Sequence, residues 1–72
     1  MEILDTSGLK CPLPVLKAKK AMKGLAPGDE LTVIATDPQS PGDFLAFCET
    51  TGDALVSSHE KDGVFEIRLK KA

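Results

Sequence analysis

Two prolines set one residue apart, in Cys11-Pro12-Leu13-Pro14, restrict what the chain can build around them. Proline fixes its own φ near the helical value and lacks a backbone N–H, so a close pair fits neither a central strand nor the middle of a helix. A helix start tolerates both, because the first N–H groups there have no helical partner. The spacing predicts a helix opening at Pro12, with Cys11 as its N-cap. Pro14 is accommodated because the carbonyl its ring would strike belongs to Lys10, outside the helix. The helical stretch runs to about Lys23, Gly24 ends it, and Pro27-Gly28-Asp29 makes the following turn.

The remaining segments fall into place around that helix. Residues 2–6 form a short strand candidate holding Ile3 and Leu4, broken by Ser7-Gly8. Residues 30–36 are β-branched and alternating, which predicts a second strand. After a loop at Asp37-Pro38, Ser40 is the expected N-cap of a second helix. Pro41 takes its first position and Asp43 favours its positive end; the helix closes near Thr51-Gly52. Residues 54–60 predict a third strand, and Asp62-Gly63 is a strong two-residue hairpin signal. In residues 64–70, Phe65, Ile67 and Leu69 point one way while Glu66, Arg68 and Lys70 point the other.

The order is thus βαβαββ. A strand–helix–strand unit gives parallel neighbours with a right-handed crossover, and the final hairpin adds an antiparallel pair. Two helices of this size cover only one face of a four-stranded sheet. The expected fold class is α/β, as an α+β two-layer sandwich with a mixed four-stranded sheet, both helices on one face and the other face wet. All 72 residues are assigned to a single domain, 1–72. A chain this short buries only about 60% of the surface exposed when unfolded, so its core is thin and a deep internal site is not expected.

Composition narrows the function classes. A net charge of −2, with neither Trp nor Tyr, argues against direct nucleic-acid binding, which draws on clustered cations and stacking rings. The lysines are nevertheless bunched, with Lys10, Lys17, Lys19, Lys20 and Lys23 making a local positive face on an acidic protein. Met1-Glu-Ile-Leu-Asp5 lacks the regions of a signal peptide, and no apolar run approaches the roughly 20 residues a membrane span needs. The chain is expected to be cytoplasmic, free of the membrane, with its two cysteines as reduced thiols. Two Cys and one His, widely spaced, match no zinc pattern, so no metal is expected.

Cys11 is the residue with chemistry to offer. Peptide N–H groups and the helix dipole favour negative charge at a helix start. Leu13 and Val15 still carry N–H groups near the sulfur, and Lys10 and Lys17 lie close in sequence, so each feature is expected to favour thiolate. A cysteine hydrolase would also need a general base, and the only histidine, His59, lies far along the chain. What remains is a reactive thiol without its own acid–base apparatus, which suits a carrier served by partner enzymes. The plainer alternative is a small, inert residue at a helix start, although Ser, Thr, Asp or Asn would cap better. An interaction or regulatory module, or by fold analogy alone a nucleic-acid-binding domain, stand as alternative functions.

The segment from Leu4 to Pro14, with its Gly8-Leu-Lys-Cys11-Pro12-Leu13-Pro14 turn between strand and helix, resembles the signature of the TusA/SirA-like sulfur-carrier family. Pro27-Gly28-Asp29-Glu30, Thr36-Asp37-Pro38 and Phe47-Cys48 are similar to later pieces of that family, so the likeness covers nearly the whole chain. The resemblance implies a sheet in the order 1-2-4-3. It implies a sulfurtransferase acting as a carrier, with a persulfide on Cys11 as its only covalent cargo and no other cofactor. Gly8, Pro12 and Pro14 would position that sulfur. The implied partners are a cysteine desulfurase or rhodanese as donor and a DsrE- or Tus-type relay protein as acceptor, the carrier itself being a monomer. Members in tRNA thiolation carry Glu between the two prolines where this chain has Leu13, so sulfur oxidation or other trafficking stands beside tRNA thiolation as the pathway.

Helix geometry then sorts the first helix into two faces. Pro14, Val15, Ala18, Ala21, Met22 and Leu25 are assigned to the core. Leu13 and Leu16 fall among the lysines and are expected to be exposed near the sulfur. With Lys10, Lys17 and Lys20 they make the candidate docking patch for partner proteins. On the second helix Phe44, Phe47, Cys48 and Thr51 share a face, which makes Cys48 a core residue rather than a second reactive thiol.

Overall fold

The computed structural model describes residues 2–72; Met1, counted in the expected domain, lies outside the described residues. Six elements follow the expected order: β1 (Glu2–Thr6), α1 (Leu13–Lys23), β2 (Glu30–Ala35), α2 (Ser40–Thr51), β3 (Ala54–Lys61) and β4 (Val64–Lys70). The sheet order is β1-β2-β4-β3. β1 runs parallel to β2, as its crossover through α1 requires, and β4 is antiparallel to both β2 and β3. The crossover through α2 therefore skips one place in the sheet, and the closing hairpin returns β4 into the gap.

That insertion makes β2 and β4 the central strands, and their alternate residues build the core. Leu31 lies opposite Leu69 and Val33 opposite Ile67, all on the helical side and all buried. Ala18 and Met22 of α1 and Phe44 and Cys48 of α2 close over them. Val15, Ala21 and Leu25 pack at the margin, so the expected inner face of α1 is the observed one. Phe47 meets Phe44 edge to face, with ring centroids 6.4 Å apart. Thr51, expected on the same face, is exposed, and its hydroxyl donates to the Phe47 carbonyl.

Both helix starts are displaced by one residue from the expected positions, α1 beginning later and α2 earlier. In α1, Leu13 N–H bonds the Lys10 carbonyl three residues back, and the first four-back bond runs from Leu16 to Pro12. Cys11 and Pro12, joined by a cis peptide bond, are thus the central residues of a turn, and Pro12 rather than Cys11 is the N-cap. In α2, Ser40 N–H likewise reaches three back to Asp37, the first four-back bond runs from Asp43 to Gln39, and Gln39 is the N-cap. Ser40, the expected cap, is the first helical residue, buried, with no hydrogen bond to its hydroxyl.

The hairpin forms at the expected place. Asp62 (φ 52°) and Gly63 (φ 80°) both take the left-handed region that a two-residue turn between twisted strands requires. β3 also contains an irregularity between Leu55 and Ser57, which leaves Val56 without a partner in the register.

Phe44 is fully buried at the centre of this thin core. Phe44→Ala should cost about 3–5 kcal/mol, a large part of the roughly 4–11 kcal/mol available to a domain of this length. Leu45→Ala, on a side chain 49% exposed, should change stability by no more than about 0.5 kcal/mol. Urea unfolding of the two variants measures the contrast, and equal losses would contradict this account of the core.

Candidate functional site

Because β1 and β2 are parallel, with Thr6 opposite Ala35, their C-terminal ends lie side by side. The segments that follow them, residues 7–12 and 36–39, leave the sheet at the same edge. Ligand sites of parallel sheets form beyond strand C-termini of this kind. Three contacts fasten the strand ends and the two segments together. Thr6 Oγ1 donates to the Ile34 carbonyl (2.7 Å), Gly8 N–H donates to Thr36 Oγ1 (2.8 Å), and Cys11 N–H donates to Asp37 Oδ2 (2.6 Å). The other oxygen of Asp37 accepts from Gln39 N–H at 3.0 Å. Thr36, assigned to the strand by its sequence, is used instead in this joint.

Gly8 makes the approach possible by taking φ +81°. Pro12 and Pro14 bracket the start of α1, with Pro14 buried and Pro12 exposed. The outcome is an open cleft of about 530 Å³, with Gly8, Lys10 and Cys11 along one side and residues 36–39 along the other. Cys11 is exposed at its edge and forms no disulfide.

The charges around that sulfur differ from the expectation. A hydrogen bond to the Asp43 carboxylate, partial desolvation, and the negative charges of Asp43 and Asp37 together push the Cys11 thiol above the usual range. The acidic surroundings thus favour thiol over thiolate, the reverse of what the helix start and neighbouring lysines suggest. Two features account for the reversal. Cys11 lies outside the helix, one residue before the cap, so the dipole that falls off within a turn acts on it weakly. Lys10 meanwhile faces Asp37, where Gln39 and Cys11 N–H groups and then the lysine charge hold the carboxyl below its usual range.

The other candidates separate clearly. Leu13 and Leu16 are 46% and 54% exposed, and Lys10, Lys17 and Lys20 are exposed with them. Cys48 is buried in the core, and burial, then Asp53, pushes its thiol up. His59 sits on β3 opposite Glu66 and lines a different hollow with Ile34 and Val64, away from the Cys11 cleft. Among the described residues no group of three His, Cys, Asp or Glu side chains is arranged to hold a metal ion. No helix among them is long and apolar enough to cross a membrane.

The acidic neighbours are the part of the site that sequence reasoning missed. Asp43 stands in the sequence as a favourable charge at a helix N-terminus, and Asp37 as a loop residue. Their approach to Cys11 arises from the parallel pairing of β1 and β2, which local spacing does not express.

Comparison with known proteins bears on the whole chain. The family model described as Sulfurtransferase TusA matches residues 2–71. A Neisseria meningitidis protein named as a candidate sulfur carrier is 58% identical over 66 residues, covering 92% of this chain and 89% of its own. The sulfur carrier protein TusA of Allochromatium vinosum is 51% identical over 69 residues, covering 96% of this chain and 91% of its own. The crystal structure of a SirA-like protein from Desulfitobacterium hafniense superposes with a TM-score of 0.87 at 33% identity, covering 97% of this chain and 96% of that one. A match along nearly the full length, on a cleft built around an exposed cysteine in a Cys-Pro-x-Pro turn, places the chain in the TusA family of sulfur carriers.

Proposed function

We propose that Cys11 is the residue on which this sulfur carrier holds its cargo, as a persulfide. The observation that carries the reading is the exposed thiol at the edge of an open cleft, its backbone held by Asp37. A carrier must offer its sulfur to two different proteins in turn, which a deep pocket would prevent. The histidine lies elsewhere, so partner enzymes supply proton transfers. In this sense the chain is a sulfurtransferase that works only with partners. It has no resident cofactor, and the sulfane sulfur on Cys11 is substrate.

Sulfur carriers interact with donor and acceptor proteins. For this chain we take the donor to be a cysteine desulfurase or a rhodanese, and the acceptor a DsrE- or Tus-type relay protein. The exposed Leu13 and Leu16, with Lys10, Lys17 and Lys20, form the docking patch, an apolar centre with a basic rim beside the sulfur. Small, rapidly released interfaces suit a monomer that meets several partners. Two unpaired thiols fit a reducing cytoplasm. Direct contact with nucleic acid is not part of this role.

Incubated with a cysteine desulfurase and cysteine, or with a chemical polysulfide, the protein should gain the mass of one sulfur atom. A reductant should reverse the gain, and Cys11→Ser should abolish it. A gain retained in Cys11→Ser would place the cargo elsewhere. Leu16→Glu should reduce loading from the protein donor several-fold while leaving loading from polysulfide unchanged; equal loading from the desulfurase would remove Leu16 from the docking patch.

A further inference from the structure

One side chain holds the sulfur-bearing residue to the start of α2. Asp37 is fixed there by its own contacts: its carbonyl accepts from Ser40 N–H (2.9 Å) and its Oδ1 from Gln39 N–H (3.0 Å). The remaining oxygen, Oδ2, accepts from Cys11 N–H at 2.6 Å. Both carboxylate oxygens are thus engaged inside the molecule, and the side chain lines the cleft beside Cys11. The neighbouring contact, Gly8 N–H to Thr36 Oγ1, falls three residues upstream of the sulfur. Asp37 alone acts on the backbone of Cys11 itself, and so on the direction in which its side chain leaves the loop.

Sulfur transfer from a protein is demanding of that direction. Deprotonated Cys11 sulfur attacks the outer sulfur of a donor persulfide, forming one S–S bond as the donor's breaks, with the three sulfurs close to a line. Cys11 gives its proton to solvent, and the donor leaves as a thiolate that takes one up. The balance is Cys11–SH + R–S–SH → Cys11–S–SH + R–SH, with no external oxidant or reductant. A small molecule in solution can reach an exposed thiol along many directions. A persulfide on a docked protein cannot turn to suit, and a misplacement of about 1 Å can slow such a step on the order of 100-fold.

We propose that Asp37 is a positioning residue for sulfur transfer, holding the backbone of Cys11 so that its sulfur meets that of a docked protein in line. This rests on Cys11 being the sulfur-bearing residue. The charge of Asp37 works in the opposite sense. The sulfur is three bonds from the nitrogen that Asp37 holds, inside the roughly 8 Å screening length, and a carboxylate there disfavours thiolate. Loss of the carboxylate therefore makes Cys11 faster with small reagents and slower with protein donors.

Wild type, Asp37→Asn and Asp37→Ala test this on the full chain. Alkylation of Cys11 by iodoacetamide at pH 7 should be several-fold faster in both variants, while Cys48, buried in the core, stays unmodified and reports an intact fold. Loading from polysulfide should be at least as fast as in wild type. Loading from a cysteine desulfurase or a rhodanese should show kcat lower by roughly tenfold in Asp37→Ala, with KM little changed. Asp37→Asn keeps one acceptor oxygen and should fall between. Unchanged kcat, a loss confined to KM, or equal losses in the two variants would overturn the proposal, as would slowing of all three reactions together. Should Asp37→Ala expose Cys48, Asp37→Asn decides by the same kcat loss; exposure in both marks a structural role and defeats positioning. A wild type that gains sulfur on Cys11 from polysulfide but from neither protein donor ends this proposal and leaves the carrier reading standing. Failure to gain sulfur from any source defeats that reading, and this proposal with it.

Discussion

The Asp37 carboxylate joins segments that lie 26 residues apart in the chain, one oxygen on Cys11 N–H and the other on the start of α2. The site depends on this joint. Without it, residues 7–12 would be tied across the joint only through Gly8 and Thr36, and the backbone of Cys11 would lose its own link to the start of α2. The joint in turn relies on the parallel pairing of β1 with β2, which brings Thr6 beside Ala35 and so delivers both segments to one edge. A 72-residue chain has little core to spare for shaping a pocket. Here the site is shaped at the sheet's rim by hydrogen bonds to loop backbone, and the core underneath only needs to hold two strands in register.

The fold is legible in the sequence wherever a local rule decides the outcome. The alternation of Phe65, Ile67 and Leu69, the Asp62-Gly63 turn and the spacing of Pro14, Ala18 and Met22 each reflect a periodicity of the backbone itself. Those elements occur where the residues imply. The helix starts are displaced by one residue because the choice between a three-back and a four-back hydrogen bond turns on a single turn's geometry. Pro12 suits the position just before a helix as well as the first one within it, so composition does not separate the two. The unpaired Val56 in β3 is likewise absent from the pattern, since an apolar residue in an apolar-polar run looks the same with or without a register shift.

The site is legible only in part, for a related reason. Gly8, Cys11, Pro12 and Pro14 fall within one short stretch of chain, and their residue types announce a shaped turn. Asp37 and Asp43 come from the other side of the first crossover, and their effect on the thiol depends on distance through space. Reading the sulfur from its sequence neighbours alone counts Lys10 in its favour and overlooks two carboxylates. The electrostatic sign at Cys11 reverses once the strands are paired. An exposed cysteine that rests as a thiol is better protected from stray oxidants, since the thiolate is the form they attack.

Gly8 shows how little of this architecture depends on volume. A Cβ built on it would meet no atom within 4 Å, so the position has room for a side chain and excludes one only through its φ of +81°. The restriction is therefore one of chirality. In a chain short enough for chemical synthesis, a D-alanine at position 8 would fit where L-alanine would strain the backbone, since mirror-image residues favour positive φ. Handedness at a single α-carbon directs the loop that carries the sulfur toward its tie on the segment after β2.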